Sequence, residues 1–259
     1  MNTLTAAAPG VWTRTARLWT ALTTVVVGED GRCLLVDPGI TTAEVDALAA
    51  ELATRSWTVA AGFSTHPHWD HLLWVSGLGS VTRWATSAAV KHAATSRAHI
   101  LLATEQDAPG HDPDLIGAIT PLSDDVAHLP WAGQRAVVVP YTGHCPGSAA
   151  LLLPDSGVLI AGDMLSDVEI PLLDLESVDP IGTYRSGLDA LEALARESDV
   201  RVLIPGHGNV GNRAELHRRA EADRAYLDAL DRCREPEDPR LTDPWIIGEH
   251  RTQVLWATR

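Results

Sequence analysis

Cysteine is scarce in this sequence, which has three in 259 residues. Cys33, Cys145 and Cys233 lie far apart and form no Cys-x-x-Cys pair, so a disulfide framework is excluded and a reducing compartment is expected. Basic residues are also few, because 20 Lys and Arg stand against 34 Asp and Glu, for a formal net charge of -14. This charge repels a phosphate backbone, so we expect no nucleic-acid partner.

Long apolar runs are absent as well. No run approaches the roughly 20 residues that a membrane-spanning helix needs. The first residues lack the basic start and apolar stretch of a secretory signal or a transit peptide. We therefore expect no membrane partner and a cytoplasmic location. With 45% hydrophobic and 21% charged residues and no linker-like segment, the chain is expected to form a single domain over residues 1–259, ending in a helix and tail at about residues 212–259.

Short β-rich segments alternate with helical ones along the chain. A hairpin is predicted from residues 18–27 and 32–36, which flank the turn sequence Gly-Glu-Asp-Gly. Helical spacing of apolar residues predicts one helix over residues 41–57 and another over residues 87–104. Further strands are predicted at residues 58–63, 81–85, 135–140, 148–153, 158–161 and 200–204, and further helices at residues 183–196 and 212–234. This order favours an α/β protein with layers of helix, sheet, sheet and helix.

The most informative segment is Thr-His-Pro-His-Trp-Asp-His at residues 65–71, directly after a predicted strand. In an extended loop His66 and His68 project to the same side, because side chains alternate with a period of two, so both can bind one metal ion. Asp70 and His71 lie just beyond them and can face a second ion. Imidazole and carboxylate ligands without a thiolate suit zinc, with iron and manganese as competitors.

Three more candidate ligands follow predicted strands further along the chain. His144, Asp163 and His207 are each preceded by a glycine, which lets the backbone turn sharply and approach an ion. The ordered pattern His-x-His-x-Asp-His, then His, Asp and His, resembles that of the metallo-β-lactamase-fold hydrolase superfamily, in its glyoxalase II-like and lactonase-like branch. The resemblance runs from residue 18 to about residue 210.

The resemblance implies a four-layer αββα sandwich of two mixed β-sheets flanked by helices, with a dinuclear metal site at one edge of the sheets. The expected cofactors are two divalent ions, Zn²⁺ before Fe or Mn. The resemblance implies that one metal is held by His66, His68 and His144. The second metal is held by Asp70, His71 and His207. Asp163 bridges the two metals together with a water or hydroxide.

Such a site performs hydrolysis. Two divalent ions about 3.5–4 Å apart make a shared water nucleophilic at neutral pH and stabilise charge on the attacking and leaving oxygens. The hydroxide would attack a carbonyl or phosphorus, and Asp70 is a candidate to assist the leaving group. In the superfamily, a bridging aspartate at the position of Asp163 is usual in ester, thioester, lactone and phosphodiester hydrolases and absent from the β-lactam-cleaving branches. The resemblance thus implies a metal-dependent hydrolase that does not destroy antibiotics.

The candidate substrate contacts are aromatic. Trp69 and Trp74 flank the ligand cluster and Tyr184 follows the Asp163 loop, although each could instead belong to the core. The acidic segment after Asp163 has no Lys or Arg before Arg185, whereas glyoxalase II-like relatives hold glutathione with basic residues there. We therefore expect a small-molecule substrate that is a neutral or apolar ester, lactone or thioester.

Several other interpretations stay open. An iron-dependent persulfide dioxygenase shares several of these ligands. A phosphodiesterase or nuclease of this fold would need a basic surface, and diiron redox relatives usually have a glutamate where His68 stands. A metal-binding scaffold would have no activity. Cys145 is interpreted as a small buried side chain, in preference to a nucleophile. The apolar residues within 245–259 could pack on this domain or on a second subunit, so a homodimer is also open.

Overall fold

Two β-sheets lie face to face in the computed structural model, which describes residues 3–258; residues 1, 2 and 259 of the predicted domain lie outside the described residues. The first sheet has seven strands, in this spatial order: β1 (Thr5–Ala8), β2 (Val11–Thr15), β3 (Leu22–Val27), β4 (Arg32–Val36), β5 (Thr58–Phe63), β6 (Arg83–Thr86) and β7 (Thr120–Leu122). Strands β1 to β4 pair antiparallel and β4 to β7 pair parallel.

The second sheet has five strands and is also mixed. In spatial order they are β8 (Val137–Pro140), β9 (Ala149–Leu153), β10 (Val158–Ile160), β11 (Val202–Ile204) and β12 (Gly211–Asn212). Only the pairing of β10 with β11 is parallel in this sheet. Because β10 and β11 run in the same direction, the loops that follow them emerge at the same edge of the sheet.

The main helices flank the sheets, and their bounds are α1 (Thr42–Thr54), α2 (Ser87–Thr95), α3 (Arg97–Asp107), α4 (Pro180–Glu197), α5 (Arg213–Asp231) and α6 (Pro244–Ala257), with 3-10 turns at Trp69–His71 and Ser76–Leu78. Helix α6 packs on its own domain, because Ile246 belongs to the same core cluster as residues of α4 and α5. Every helix within residues 3–258 is too short or too polar to cross a membrane.

Alternation along the strands explains the four layers. In β4, Leu34 and Val36 face the second sheet, whereas Cys33 and Leu35 face helix α1. In the second sheet, the odd-numbered residues of β9 meet the first sheet, and Leu152 meets the cluster formed with α4 and α5. Both sheets are therefore buried on two faces, and the predicted αββα sandwich is confirmed.

Local chemistry shifts several predicted boundaries. Helix α1 begins after Thr41, whose side chain accepts from the backbone N–H of Glu44 while Glu44 accepts from that of Thr41. It ends before the predicted residue 57 because Ser56 has a φ of 58°, which cannot continue a helix. Similarly, the first hairpin strand starts at residue 22 rather than 18, because Trp19 and Thr20 both have a φ of 53°.

The single helix predicted over residues 87–104 is two helices that meet at Ser96. The hydroxyl of Thr95 donates to the carbonyls of Lys91 and His92, a side-chain bond that bends helices. Arg97 then opens α3 by donating to backbone carbonyls of the following loop. Strands β1 and β2 were not predicted from the sequence.

Candidate metal centre

The seven predicted ligands meet at one edge of the two sheets. His66, His68, Asp70 and His71 follow β5, His144 lies between β8 and β9, and Asp163 and His207 follow β10 and β11. Backbone bonds join the two sheets at this edge, since Ala149 N donates to Thr65 O at 2.9 Å and Leu22 N donates to Gly206 O at 2.7 Å. All the ligand candidates are buried except His68, which is partly exposed.

The first donor set consists of three imidazoles. His68 Nδ1 lies 3.2 Å from His66 Nε2 and 2.9 Å from His144 Nε2. The carboxylate of Asp163 completes the set, with Oδ2 3.2 Å from His66 Nε2 and 3.4 Å from His144 Nε2. The four atoms therefore surround one point.

The second donor set combines two imidazoles with a carboxylate. His71 Nε2 and His207 Nε2 are 3.2 Å apart, and Asp70 Oδ2 lies 3.4 Å from the first and 3.1 Å from the second. The other oxygen of Asp163, Oδ1, is 3.2 Å from His71 Nε2. Asp163 thus stands between the two sets: Oδ1 contacts His71, and Oδ2 contacts the first set and also lies 3.5 Å from His207 Nε2.

Outer hydrogen bonds orient the imidazoles. His144 Nδ1 donates to Leu172 O at 3.0 Å, and His207 Nδ1 donates to Trp19 O at 3.1 Å. A neutral imidazole that donates from Nδ1 carries a lone pair on Nε2. In its neutral form, each ring therefore presents a lone pair on its inward nitrogen, which can bind a cation.

Asp37, which sequence reasoning missed, interacts with both donor sets, through Thr65 with the first set and through His71 with the second. Its oxygens accept from Thr65 N at 2.9 Å and from Thr65 Oγ1 at 2.7 Å, and Thr65 Oγ1 in turn lies 3.0 Å from His66 Nδ1. Asp37 Oδ2 is also 3.0 Å from His71 Nδ1, in a bent contact. One buried carboxylate thus fixes a ring of each set. Its signal in the sequence was an Asp-Pro-Gly run at the end of a predicted strand.

We predict that Asp37→Asn weakens metal binding at both positions. The amide keeps the size of the carboxylate but removes the negative charge that holds His71 and Thr65, so both rings lose their orientation. Outer partners of metal ligands are worth about 10-fold to 100-fold in metal affinity. Titration against a chromophoric chelator measures this, with the exposed Asp155→Asn as the matched control. Wild-type affinity in the Asp37 variant would contradict the assignment.

Charge within the site favours a cation. Burial alone would raise the pKa of Asp163, but His71 and His66 outweigh it and hold this pKa well below the usual range. Burial likewise opposes protonation of His71, yet Asp163 and Asp70 raise the pKa of His71 well above its usual value. Burial and the neighbouring His71 lower the pKa of His66 to about 4. Ionised carboxylates therefore lie at the centre of a ring of imidazoles.

The donor atoms fit divalent metal ions. Asp163 Oδ1 is buried without a hydrogen-bond partner, and such an atom is costly unless a cation compensates it. The inward nitrogens of His144 and His207 lie 3.4 Å and 3.5 Å from Asp163 Oδ2, so imidazole and carboxylate donors converge on the same region. Ligands of a tetrahedral zinc at bond lengths of about 2.0–2.1 Å are about 3.3 Å apart, close to the 2.9–3.4 Å separations within the first set.

A cavity of about 790 Å³ opens onto this centre. Of the three aromatic residues predicted to contact substrate, only Trp69 lines it. Trp74 lies away from the cavity: its ring is 3% exposed, packs in the core near α1 and donates from Nε1 to Gly79 O at 3.0 Å. Tyr184 is 1% exposed and also lies in the core, on α4. Both rings are too large and apolar to leave that packing.

Tyr184 nevertheless supports the site through its backbone. Gly143, which precedes a ligand, has a φ of 127°, and a Cβ there would overlap the Cα of Tyr184. A Cβ on Gly206, before another ligand, would overlap Asp163 Oδ1. The absence of a side chain at these two positions therefore permits the close approach that the sequence suggested.

Cys145 lies beside the first set, with its sulfur within 4.8 Å of the ligand atoms of His66, His68 and His144. Its Sγ is 3.4 Å from Ser148 Oγ, and burial raises the pKa of the thiol to about 12. A thiol that stays protonated at neutral pH is a poor nucleophile. This supports the interpretation of Cys145 as a buried side chain.

Three residues of the cavity wall were not singled out as site residues from the sequence. Trp19 and Trp245 line it from opposite ends of the chain, and Glu169 lines it at 5% exposure. Glu169 Oε1 is 3.5 Å from His207 Nδ1, and burial raises the pKa of this carboxyl to about 7. An acidic run after Asp163 was the only sequence signal for Glu169.

The model of the Metallo-beta-lactamase superfamily matches residues 17–207, well over half of the chain. The chain belongs to this superfamily. Superfamily membership and the His and Asp clusters together indicate a divalent-metal site. Over 95 residues it is 34% identical to a protein of Methanocaldococcus jannaschii named as a probable metallo-hydrolase, and this match covers 37% of the chain and 44% of that relative. The match thus spans less than half of the relative.

Solved structures of the superfamily share the fold. A beta-lactamase domain protein from Burkholderia ambifaria has a TM-score of 0.66 at 21% identity, over 89% of this chain and 74% of that one. A metallo-beta-lactamase from Pontibacter korlensis has a TM-score of 0.60 at 18% identity, over 85% and 98%. The DIM-1 metallo-beta-lactamase has a TM-score of 0.63 at 20% identity, over 85% and 95%. At these identities, the likeness establishes the architecture and not the substrate.

Proposed function

We propose that this superfamily hydrolase binds two zinc ions and cleaves a neutral ester, lactone or thioester bond in a small molecule. The observation that carries the proposal is Asp163, whose two oxygens face two different donor sets. Imidazole and carboxylate donors without a thiolate ligand are typical of zinc. We further propose that no nucleic acid or membrane takes part.

A pair of bound divalent cations supplies a nucleophilic water at neutral pH and stabilises negative charge on substrate oxygens. The residues of the chain provide the rest. Asp163 holds the two donor sets together, and the outer partners of the imidazoles keep their lone pairs turned inward. Asp70 lines the cavity with its carboxylate 3.1 Å from His207 Nε2, where it could accept the proton released by the attacking water and return it to the leaving group. Trp69 and Leu172 exclude water beside the reacting bond.

The cavity wall supports a substrate without negative charge. Within residues 3–258, no Lys or Arg lines the cavity, whereas Asp107, Asp174 and Glu176 do. A phosphodiester or a glutathione conjugate would bring negative charge against these carboxylates with no Lys or Arg to receive it. A substrate without negative charge avoids that cost.

A substrate panel on the zinc-loaded protein tests the proposal. We expect measurable hydrolysis of a neutral aryl ester, a lactone or a thioester, and at least about tenfold lower kcat/KM for a bis-aryl phosphodiester and a β-lactam of similar size. Asp163→Ala serves as the inactive control and Asp155→Ala as the matched active one. Preferential cleavage of the phosphodiester, or no hydrolysis by a fully loaded protein, would overturn the proposal.

Acidification is expected to lower the rate and the metal content together. Imidazoles must be neutral and carboxylates ionised to bind metal. Because neighbouring carboxylates raise the pKa of His71, protons already compete with the cations at this ring above the ordinary histidine pKa of about 6.5, and the competition grows as the pH falls. A rate profile from about pH 5 to pH 8, with metal analysis at each point after gel filtration, measures the effect. A flat profile would contradict hydrolysis by a water made nucleophilic at the metals.

A further inference from the structure

Three indole rings form one wall of the cavity next to the metal centre. Trp19 stacks on Trp245, with ring centroids 5.3 Å apart and an interplanar angle of 27°. Trp19 also meets Trp69 edge to face, at 5.5 Å and 67°. Trp245 remains 36% exposed, although it is a large apolar side chain. Indole faces attract cations through their negative quadrupole.

The backbone of Trp19, as well as the packing of its ring, positions this residue in the aromatic wall. Trp19 adopts a φ of 53°, a left-handed conformation that costs a non-glycine residue energy. Two hydrogen bonds from the His207 loop hold this backbone conformation, because Trp19 O accepts from His207 Nδ1 and Thr20 O accepts from Gly208 N at 3.0 Å. The backbone of Trp19 is therefore fixed beside the candidate ligand His207.

Carboxylates without basic partners face the same cavity. Glu249 lies one helical turn after Trp245 on α6, so both side chains project from one face of the helix into the cavity. Within residues 3–258, neither Glu249 nor Asp107 forms an ion pair.

Acidic side chains elsewhere on the protein are commonly paired. Asp228 meets Arg185 at 2.7 Å, Asp223 meets Arg240 at 2.6 Å, and these arginines do not reach the cavity. The imidazoles of His92 and His99 are the cavity's other titratable basic groups besides the ligand candidates. The carboxylates of the cavity wall that lack an ion pair can therefore pair with a cationic group of a ligand.

We propose that the substrate carries a protonated amine or a quaternary ammonium group, which lies against Trp19 and Trp245 and is paired with Glu249, next to the neutral bond that is cleaved. The inference rests on the proposed function, and it refines the neutral substrate of that proposal to one whose reacting bond is neutral and whose body is cationic. A volume of about 790 Å³ accommodates a small molecule of this kind.

A pair of isosteric probes tests the cation site without requiring catalysis. Choline and 3,3-dimethylbutan-1-ol have the same shape and hydroxyl group but differ in charge. We expect the zinc-loaded protein to bind choline at least about tenfold more tightly, measured by tryptophan fluorescence and calorimetry, since an ammonium gains from both the indoles and the carboxylate. Equal affinities, or tighter binding of the neutral alcohol, would overturn the inference.

Variants place the site on named residues. Glu249→Gln removes the charge on a partly exposed side chain, and Trp245→Leu keeps apolar volume but removes the indole. Each should reduce the affinity ratio of choline to the alcohol at least about threefold. Glu221→Gln, on an exposed position of α5, is the matched control and should leave the ratio unchanged. An unchanged ratio in both cavity variants would show that these residues do not hold the cation.

Kinetics separate this inference from the proposed function. Acetylthiocholine and S-(3,3-dimethylbutyl) thioacetate are matched thioesters, and the first should have at least about tenfold higher kcat/KM. Equal hydrolysis of both with no choline preference overturns the cation site and leaves the hydrolase proposal intact. Choline binding without hydrolysis of either thioester supports the cation site and contradicts the thioester substrate class.

Discussion

Replacing Asp163 with alanine is expected to remove metal from both positions and to lower kcat/KM at least about a hundredfold. The carboxylate has one oxygen within 3.5 Å of three imidazoles and the other 3.2 Å from His71. Its loss takes a shared ligand from both sets and leaves the imidazoles without the charge that draws a cation between them. Mutation of a hydrogen-bond partner of a metal ligand lowers metal affinity or activity by about 10-fold to 100-fold, so loss of a direct bridging ligand should lower kcat/KM by at least the upper end of that range.

The comparison with His144→Ala makes this prediction specific. His144 belongs only to the first set, so its loss should weaken one metal position and leave the second. Elemental analysis of the two variants, beside Asp155→Ala, measures the metal content per chain. If the Asp163 variant keeps as much metal as the wild type and full activity, Asp163 does not bridge the two sets.

Removal of metal by a chelator is expected to abolish hydrolysis and to lower the melting temperature by roughly 10 °C. A ligand present at about a thousand times its Kd stabilises the folded state by about 4 kcal/mol, and each kcal/mol shifts Tm by about 2–4 °C in a chain of this size. The loss is large here because the ligand candidates come from four separate loops, which bound cations tie together.

Differential scanning fluorimetry and activity after dialysis against a chelator, followed by re-addition of Zn²⁺, Fe²⁺ or Mn²⁺, check this prediction. Zinc is expected to restore both the melting temperature and the rate. Restoration by iron alone would favour the persulfide dioxygenase alternative. Full activity in a protein shown to be free of metal would contradict the metal-dependent mechanism.

Period-two and helical patterns predicted most of the elements, because they follow from local burial. Residues 58–63 form a strand as predicted, and residues 183–196 lie within α4. Two boundary errors fall where a single backbone conformation or side-chain bond overrides the pattern. Ser96 divides a helix that periodicity alone would continue, and the positive φ of Trp19 delays the start of β3.

The sequence also predicted which residues gather at the candidate metal centre, whereas only one of the three aromatic residues proposed for substrate contact lines the cavity. Ligand candidates stand out because their residue types and preceding glycines mark them individually. Trp69, Trp74 and Tyr184 carry no such mark, since an indole or phenol near a motif can face either a cavity or the core. Only Trp69 faces the cavity.

By itself, the sequence determined the class of fold, the ligand candidates and the expectation of metal-dependent hydrolysis, because alternation of apolar residues and a run of donors at fixed spacing are local properties. Tertiary structure alone decided the outer partner Asp37, the indole wall of Trp19 and Trp245, and the unpaired carboxylate of Glu249. These residues come from distant parts of the chain, and only the packing of α6 and the β3 entry loop against the sheet edge makes them neighbours.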